Sequence, residues 1–180
     1  MNNYSLIRTS SIADGVGLRT SVYFSGCQRA LEGKACQGCH NAMAWEKDFG
    51  KEWTEEVKQS VLDTLKPDYV SGLSVLGGEP LSDFNLECVL DLVKTAKELY
   101  PNKNIWMWTG YTLEEVLEDP KKKELANQIF QYVDYVVDGP FINDLKDPSL
   151  KFRGSSNQRI LYIRHLDDGK PFIADVTLNF

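Results

Sequence analysis

A single alternation constrains this chain more than any other feature: short β-branched or aromatic runs take turns with segments whose apolar residues recur at helical spacing. "LRTSVYF" (18–24) reads as a strand, and "TEEVKQSVLDTLK" (54–66) as a helix, with Val57, Val61, Leu62 and Leu65 on one face and Thr54 as N-cap. "GLSVLGGEP" (72–80) is a glycine-closed apolar run that leads into the helical "DFNLECVLDLVKTAKELY" (83–100). "NIWMWTGY" (104–111) and "TLEEVLED" (112–119) form a third pair, and the helical "KKKELANQIF" (121–130) precedes a strand in "YVDYVVDGPF" (132–141). Repeated strand-then-helix units demand a parallel sheet with right-handed crossovers. A closed eight-fold barrel usually needs at least about 200 residues, and this chain has 180. The expected fold is therefore α/β: a single-domain, open and partial parallel β/α barrel over 1–180. Its carboxyl-terminal segment is less regular from about 141, with one more strand in "QRILYIRHL" (158–166).

Composition narrows the function classes. The chain is 42% hydrophobic and 26% charged, with no repeat, no low-complexity tract and no run of about 18 apolar residues, so no membrane partner is expected. "MNNYSLIRTSSIADG" lacks the apolar stretch of a secretory signal, which predicts a cytoplasmic protein with reduced thiols. Net charge is -6 and the Lys and Arg residues are scattered, which argues against a nucleic-acid partner.

The unusual residues follow the strands. The cysteine-rich "SGCQRALEGKACQGCHN" (25–41), "GGEP" (77–80), "TGY" (109–111) and "DGPF" (138–141) each come after the carboxyl end of an expected strand. That edge is where parallel α/β folds assemble their sites.

Cys27, Cys36 and Cys39 are spaced C-x8-C-x2-C, with His40 next in sequence. Two readings of this set stand. In one, the three thiolates and His40 close a tetrahedral Cys3His zinc site in a binding module without redox activity. In the other, three thiolates hold three irons of a four-iron, four-sulfur cluster, for which proteins ordinarily supply four cysteines. The fourth iron then keeps an open position of the kind that distinguishes a reactive metal centre from a structural one. The remaining cysteine, Cys88, falls inside the helix at 83–100 and reads as a small buried hydrophobe. No Ser-His-Asp arrangement, P-loop or dinucleotide fingerprint is present.

In their order, "ADGVGLRT" (13–20), "SGC", "CQGCHN", "LGGEP", "IWMWTGY", "VDGPF", "DLKDPSL" and "FRGSSNQR" (152–159) resemble the radical S-adenosylmethionine enzymes. Among these, the closest resemblance is to the activating proteins of anaerobic ribonucleoside-triphosphate reductase. It covers nearly the whole chain. It implies a partial barrel of the radical S-adenosylmethionine type and a [4Fe-4S] cluster on Cys27, Cys36 and Cys39. It also implies S-adenosylmethionine bound at the fourth iron against Gly38, Cys39, His40, Gly77, Gly78 and Glu79, with "GGEP" at the methionyl ammonium and "TGY" as a candidate for the adenosine. The implied activity is reductive cleavage of that sulfonium to a 5'-deoxyadenosyl radical, which takes hydrogen from a glycine of the reductase. The implied partners are that glycyl-radical subunit and a flavodoxin-like or other low-potential electron donor. The alternative within the same chemistry is activation of another glycyl-radical enzyme, such as pyruvate formate-lyase.

Two departures accompany the resemblance. The family spacing is C-x3-C-x2-C, so "QRALEGKA" adds five residues between the first two cysteines. Such lengthening costs only about 0.6 kcal/mol per doubling of a loop, and it brings Arg29 and Lys34 either beside the cluster or onto solvated surface. In "DGVGLR" (14–19), Val16 stands where relatives commonly have proline, and Arg19 reads equally as the partner of a structural carboxylate. "FRGSSNQR" reads as a loop stabiliser or a surface for the reductase.

Overall fold

The computed structural model describes residues 2–165 and 171–180. In chain order the strands are β1 (Asn3–Ser11), β2 (Leu18–Phe24), β3 (Lys51–Glu52), β4 (Val70–Gly77), β5 (Asn104–Trp108), β6 (Tyr135–Asp138), β7 (Arg159–His165) and β8 (Pro171–Asp175). The helices are α1 (Gln28–Leu31), α2 (Glu55–Asp63), α3 (Leu86–Leu99), α4 (Leu113–Glu118) and α5 (Lys123–Phe130). Leu166, the last residue of the expected carboxyl-terminal strand, lies outside the described residues.

β2, β4, β5 and β6 are neighbours and parallel, as the alternation requires. The sheet as a whole is mixed, which corrects the expectation of an all-parallel one: its order is β3-β1-β2-β4-β5-β6-β7-β8, with antiparallel pairs at both margins. The physical reason lies in the connections. A parallel neighbour needs a long crossover, whereas β1 reaches β2 through residues 12–17, a turn that places Gly15 at φ +112° and Gly17 at φ +82°. Between β6 and β7 the chain forms a 3₁₀ turn at Asn143–Leu145 but no crossover helix, so it returns antiparallel.

Because the parallel strands advance in one direction, right-handed crossovers put α2, α3, α4 and α5 on the same face. Period-two alternation then sorts the side chains. From β5, Ile105 and Met107 join the main core beneath α2, α3, α4 and α5, while Trp106 joins Val137 and Ile160 on the opposite face. That second face is covered by aromatic side chains from the carboxyl-terminal part: Trp106 lies 5.2 Å from Phe152 and 5.6 Å from Phe180, between ring centroids. α2 and α4 start where capping chemistry places them. Thr54 accepts the Val57 amide, and Thr112 forms a capping box with Glu115.

Candidate functional site

All four parallel strands end at one rim, and the loops that leave them are laced together by backbone hydrogen bonds. Gly78 N–H donates to Phe24 O (2.7 Å), Glu79 N–H to Gly26 O (2.9 Å), and Gly26 and Cys27 N–H to Ala44 and Trp45 O (2.8 and 2.9 Å). This crossing admits no side chain. A Cβ on Gly78 would stand 2.5 Å from Gly26 O and 2.6 Å from Ala44 O, and Gly77 has φ +129°. The glycines of "GGEP" are thus what lets the strand β4 exit pass beneath the cysteine loop. A cavity of about 260 Å³ opens at the rim, bordered by Cys36, Cys39, His40, Gly77, Gly78 and Gly110.

Each cysteine sulfur of the triad faces a backbone amide. Asn41 N–H donates to Cys39 Sγ at 3.4 Å, and the amides of Ala30 and Phe141 favour the thiolates of Cys27 and Cys36. Burial opposes ionisation, pushing Cys27 up to about 11 and raising Cys36, whereas the nearby Arg29 charge lowers Cys36. Soft thiolates with amide donors are the ligand set and second shell that an iron–sulfur cluster takes. The residues present therefore fit the group. A cubane binds its thiolates on separate iron atoms, so the sulfurs need not meet at one point. A single zinc ion needs such convergence, and among the described residues no three His, Cys, Asp or Glu side chains supply it.

His40 is exposed, with its ring 5.2 Å from that of Phe141, and Gly38 has φ +75° beside Asn143. Glu79 is 1% exposed and does not border the cavity. Its Oε1 accepts Leu81 N–H (3.0 Å) and Thr109 Oγ1–H (2.8 Å), and its Oε2 accepts Gly110 N–H (2.7 Å). Burial raises its pKa, and these donors together with Arg29 hold it back. Its carboxylate ties the exit of β4 to the exit of β5. Cys88 is where it was expected, apart from the site: burial pushes it up to about 12, and its thiol donates to Asn85 O at 3.1 Å.

The lining also includes Tyr23 from β2, Trp108 from "IWMWTGY", Phe141 from "DGPF", and Gly154 and Gln158 from "FRGSSNQR". Gln158 explains much of "FRGSSNQR". Its Oε1 accepts the amides of Gly154 (2.8 Å) and Ser155 (3.2 Å), while its Nε2–H donates to Gly139 O (3.0 Å), clamping the carboxyl-terminal loop to "DGPF".

A second polar cluster lies across the sheet from the helices. Asp14 Oδ2 accepts three hydroxyls, from Ser11 (2.6 Å), Ser21 (2.7 Å) and Tyr23 (3.0 Å). Arg19, fully buried, donates from Nε to Ser74 Oγ, from Nη1 to Val16 O and Asn104 Oδ1, and from Nη2 to the carbonyls of Leu73 and Asn104. The "DGVGLR" turn is therefore pinned across β4 and β5 by carbonyl and amide acceptors, not by a direct carboxylate partner.

A family model described as "4Fe-4S single cluster domain" matches residues 13–161. The chain is 39% identical over 160 residues to the anaerobic ribonucleoside-triphosphate reductase-activating protein of Pasteurella multocida, covering 88% of this chain and 96% of the relative. It is 38% identical over 160 residues to the protein of the same name from Vibrio cholerae, again with 88% and 96% covered. The corresponding protein of Haemophilus influenzae is 36% identical over 160 residues, with the same coverage. No solved structure matches. With three amide-faced thiols at the rim of a parallel α/β sheet, and with relatives matched over nearly their whole length, the chain belongs to the family of anaerobic ribonucleoside-triphosphate reductase-activating proteins, built on a 4Fe-4S single cluster domain.

Proposed function

We propose that this protein is a radical S-adenosylmethionine activating enzyme that installs a glycyl radical on an anaerobic ribonucleoside-triphosphate reductase. The observation that carries the reading is the set of three amide-faced cysteines, without a fourth, beside a cavity of about 260 Å³ at the carboxyl edge of the parallel strands. Bound by Cys27, Cys36 and Cys39, a [4Fe-4S] cluster supplies a low-potential electron and one open iron position for reductive cleavage of S-adenosylmethionine.

The chain's own residues do the rest. Gly77 and Gly78, packed so closely on the backbone of residues 23–26 and Ala44 that any Cβ would collide, present bare backbone to the cavity, and Cys39 and His40 form a further part of its wall, with Gly38 adjoining Cys39. Glu79 orders the Thr109–Gly110 turn and sets a negative charge behind it, toward the methionyl ammonium. Phe141 and Trp108 narrow the cavity and exclude water. One-sided helices favour a sheet that curls into a partial barrel, and the cavity at its rim is where a glycine-bearing loop of the partner would enter. The electron comes from a flavodoxin-like or other low-potential donor. We place the activity in the cytoplasm, with residues 1–180 acting as one unit and with no nucleic-acid or membrane partner. Among the described residues, no helix is long and apolar enough to cross a membrane.

The test mixes anaerobically reconstituted, reduced protein with S-adenosylmethionine and the reductase. A glycyl radical doublet in the electron paramagnetic resonance spectrum, with 5'-deoxyadenosine and methionine as co-products, is the expected result. Efficient activation of pyruvate formate-lyase with the reductase left silent would move the assignment to another glycyl-radical enzyme. A colourless protein that binds no iron overturns the reading.

A further inference from the structure

The five-residue lengthening of the cysteine loop has a structural product. Residues 28–31 fold into the single turn α1, which starts at Cys27, whose carbonyl accepts Leu31 N–H at 3.0 Å, and which closes at Gly33 with φ +76°. Gln28 anchors the turn by accepting Asp83 N–H (2.9 Å) and Lys122 Nζ–H (2.7 Å). The two cations of the loop then part company. Lys34 stays exposed, while the Arg29 side chain is only 13% exposed and turns inward.

Arg29 is unusually short of partners. Its Nε is buried with no hydrogen-bond partner among the described residues, and its nearest carboxylate, Glu115, is 3.7 Å away. It lies over the Tyr111 ring at 5.0 Å and against Gly110, where a Cβ would come within 3.2 Å of its Cδ. Arg29 and Cys36 share the wall of a second cavity, of about 220 Å³. A buried guanidinium is always charged and ordinarily well hydrogen-bonded, so an Nε buried without an acceptor points to an anionic group that completes it.

We propose that Arg29 is a positioning residue for charge: its guanidinium, held between Tyr111, Gly110 and the Cys36 side of the loop, compensates the cluster and favours its reduced form. The inference rests on the cluster assignment above. One-electron reduction by the external low-potential donor adds one negative charge to the cluster, and a fixed neighbouring cation stabilises that charge. The lengthened loop thereby does more than span the distance between two ligands. The competing role is structural, with Arg29 acting as distant counter-charge to the buried Glu79.

The experiment is a redox titration of the reconstituted cluster, followed by electron paramagnetic resonance, in wild type, Arg29→Gln and Arg29→Lys. We expect Arg29→Gln to load iron normally and to disfavour reduction about tenfold, a shift of about 59 mV to more negative potential for a one-electron couple. Arg29→Lys should recover most of it. If Arg29→Gln does not hold the cluster, Tyr111→Leu, which removes the platform beneath the guanidinium, is judged by the same direction of shift. A reduction equilibrium within about twofold of wild type, a shift of under about 18 mV, in the variant that loads iron overturns the inference, even if its melting temperature falls. A wild type without cluster instead overturns the functional reading itself.

Discussion

Two arginines, Arg19 near the start of β2 and Arg29 in α1 just beyond its end, are both largely removed from water, yet they are completed in opposite ways. Arg19 places each of its donors on an acceptor within the chain, and burial lowers its pKa to about 10, leaving it charged at neutral pH. Arg29 has an orphaned Nε and one loose carboxylate neighbour. A saturated buried network fixes one arrangement of the backbone; an unsaturated one keeps binding capacity in reserve. The amino-terminal turn is therefore scaffold, and the cysteine loop is the part of the molecule that waits for a partner. The same contrast separates Asp14, which accepts three hydroxyls, from the triad of thiols, each faced by a single amide.

The contrast predicts its largest effect at the triad. Serine in place of Cys27, Cys36 or Cys39 should reduce iron from about four per chain to none after anaerobic reconstitution, because each removes a thiolate that nothing nearby replaces. Cys88→Ser should leave iron content unchanged. Chemical iron analysis and the visible absorption of the brown protein decide it, and full loading of any triad variant would break the assignment of that cysteine.

Stability should respond in the reverse order. Arg19→Leu strands the carbonyls of Leu73 and Asn104 and the Ser74 hydroxyl in the interior, and should cost about 3–5 kcal/mol in denaturant unfolding. Arg29→Gln should cost less than about 1 kcal/mol, since it breaks no hydrogen bond seen in the structure. Equal losses in the two variants would erase the distinction between scaffold and site.

An intermediate effect belongs to Glu79, which has a foot in each category. Glu79→Ala should weaken S-adenosylmethionine binding by about tenfold, about 1.4 kcal/mol, through loss of the charge and order behind the Thr109–Gly110 turn and not of a direct contact, with the cluster retained. Since the carboxylate also holds Leu81, Thr109 and Gly110, Thr109→Val is the necessary companion. It removes one internal donor and leaves the charge. Calorimetry showing the same loss in both variants would assign Glu79 to loop order and not to the ammonium.

What the sequence made legible follows from the range of the forces involved. The parallel strands and their helices were readable because side-chain periodicity is a local signal: β2 occupies Leu18–Phe24, as its alternation indicates. β1, β3 and β8 were not recognised, since β1 is half-exposed with no clean alternation and β3 has two residues. Strand direction at the margins depends on how the connections close, which no residue pattern states. The triad announced itself by spacing, and "GGEP" by the family resemblance. Gln158 did not, because it becomes a wall of the cavity through a contact made with a loop distant in sequence. For Arg29 the sequence left two places open, beside the cluster or on solvated surface; its burial depends on the turn of α1.

Tyr23 joins the two regions, and the smallest expected effect lies there. Its ring borders the cavity while its hydroxyl donates to Asp14 Oδ2 at 3.0 Å. Tyr23→Phe removes one of three donors to that carboxylate and should cost about 1 kcal/mol near neutral pH. The pH dependence has a definite sign. Burial, then the Asp14 charge and hydrogen bond, push the phenol from its ordinary value of 10.0 up to about 12, so between these values the folded chain holds a proton that the unfolded chain has released. Stability from this group is complete below pH 10 and drains away as pH rises toward 12. The stability difference between wild type and Tyr23→Phe should accordingly be flat from pH 7 to about 9.5 and shrink above pH 10, read from denaturant midpoints. A difference that grows with alkalinity would mean that the phenolate is favoured in the fold, and that the Asp14 cluster is not the closed scaffold that its three hydroxyls describe.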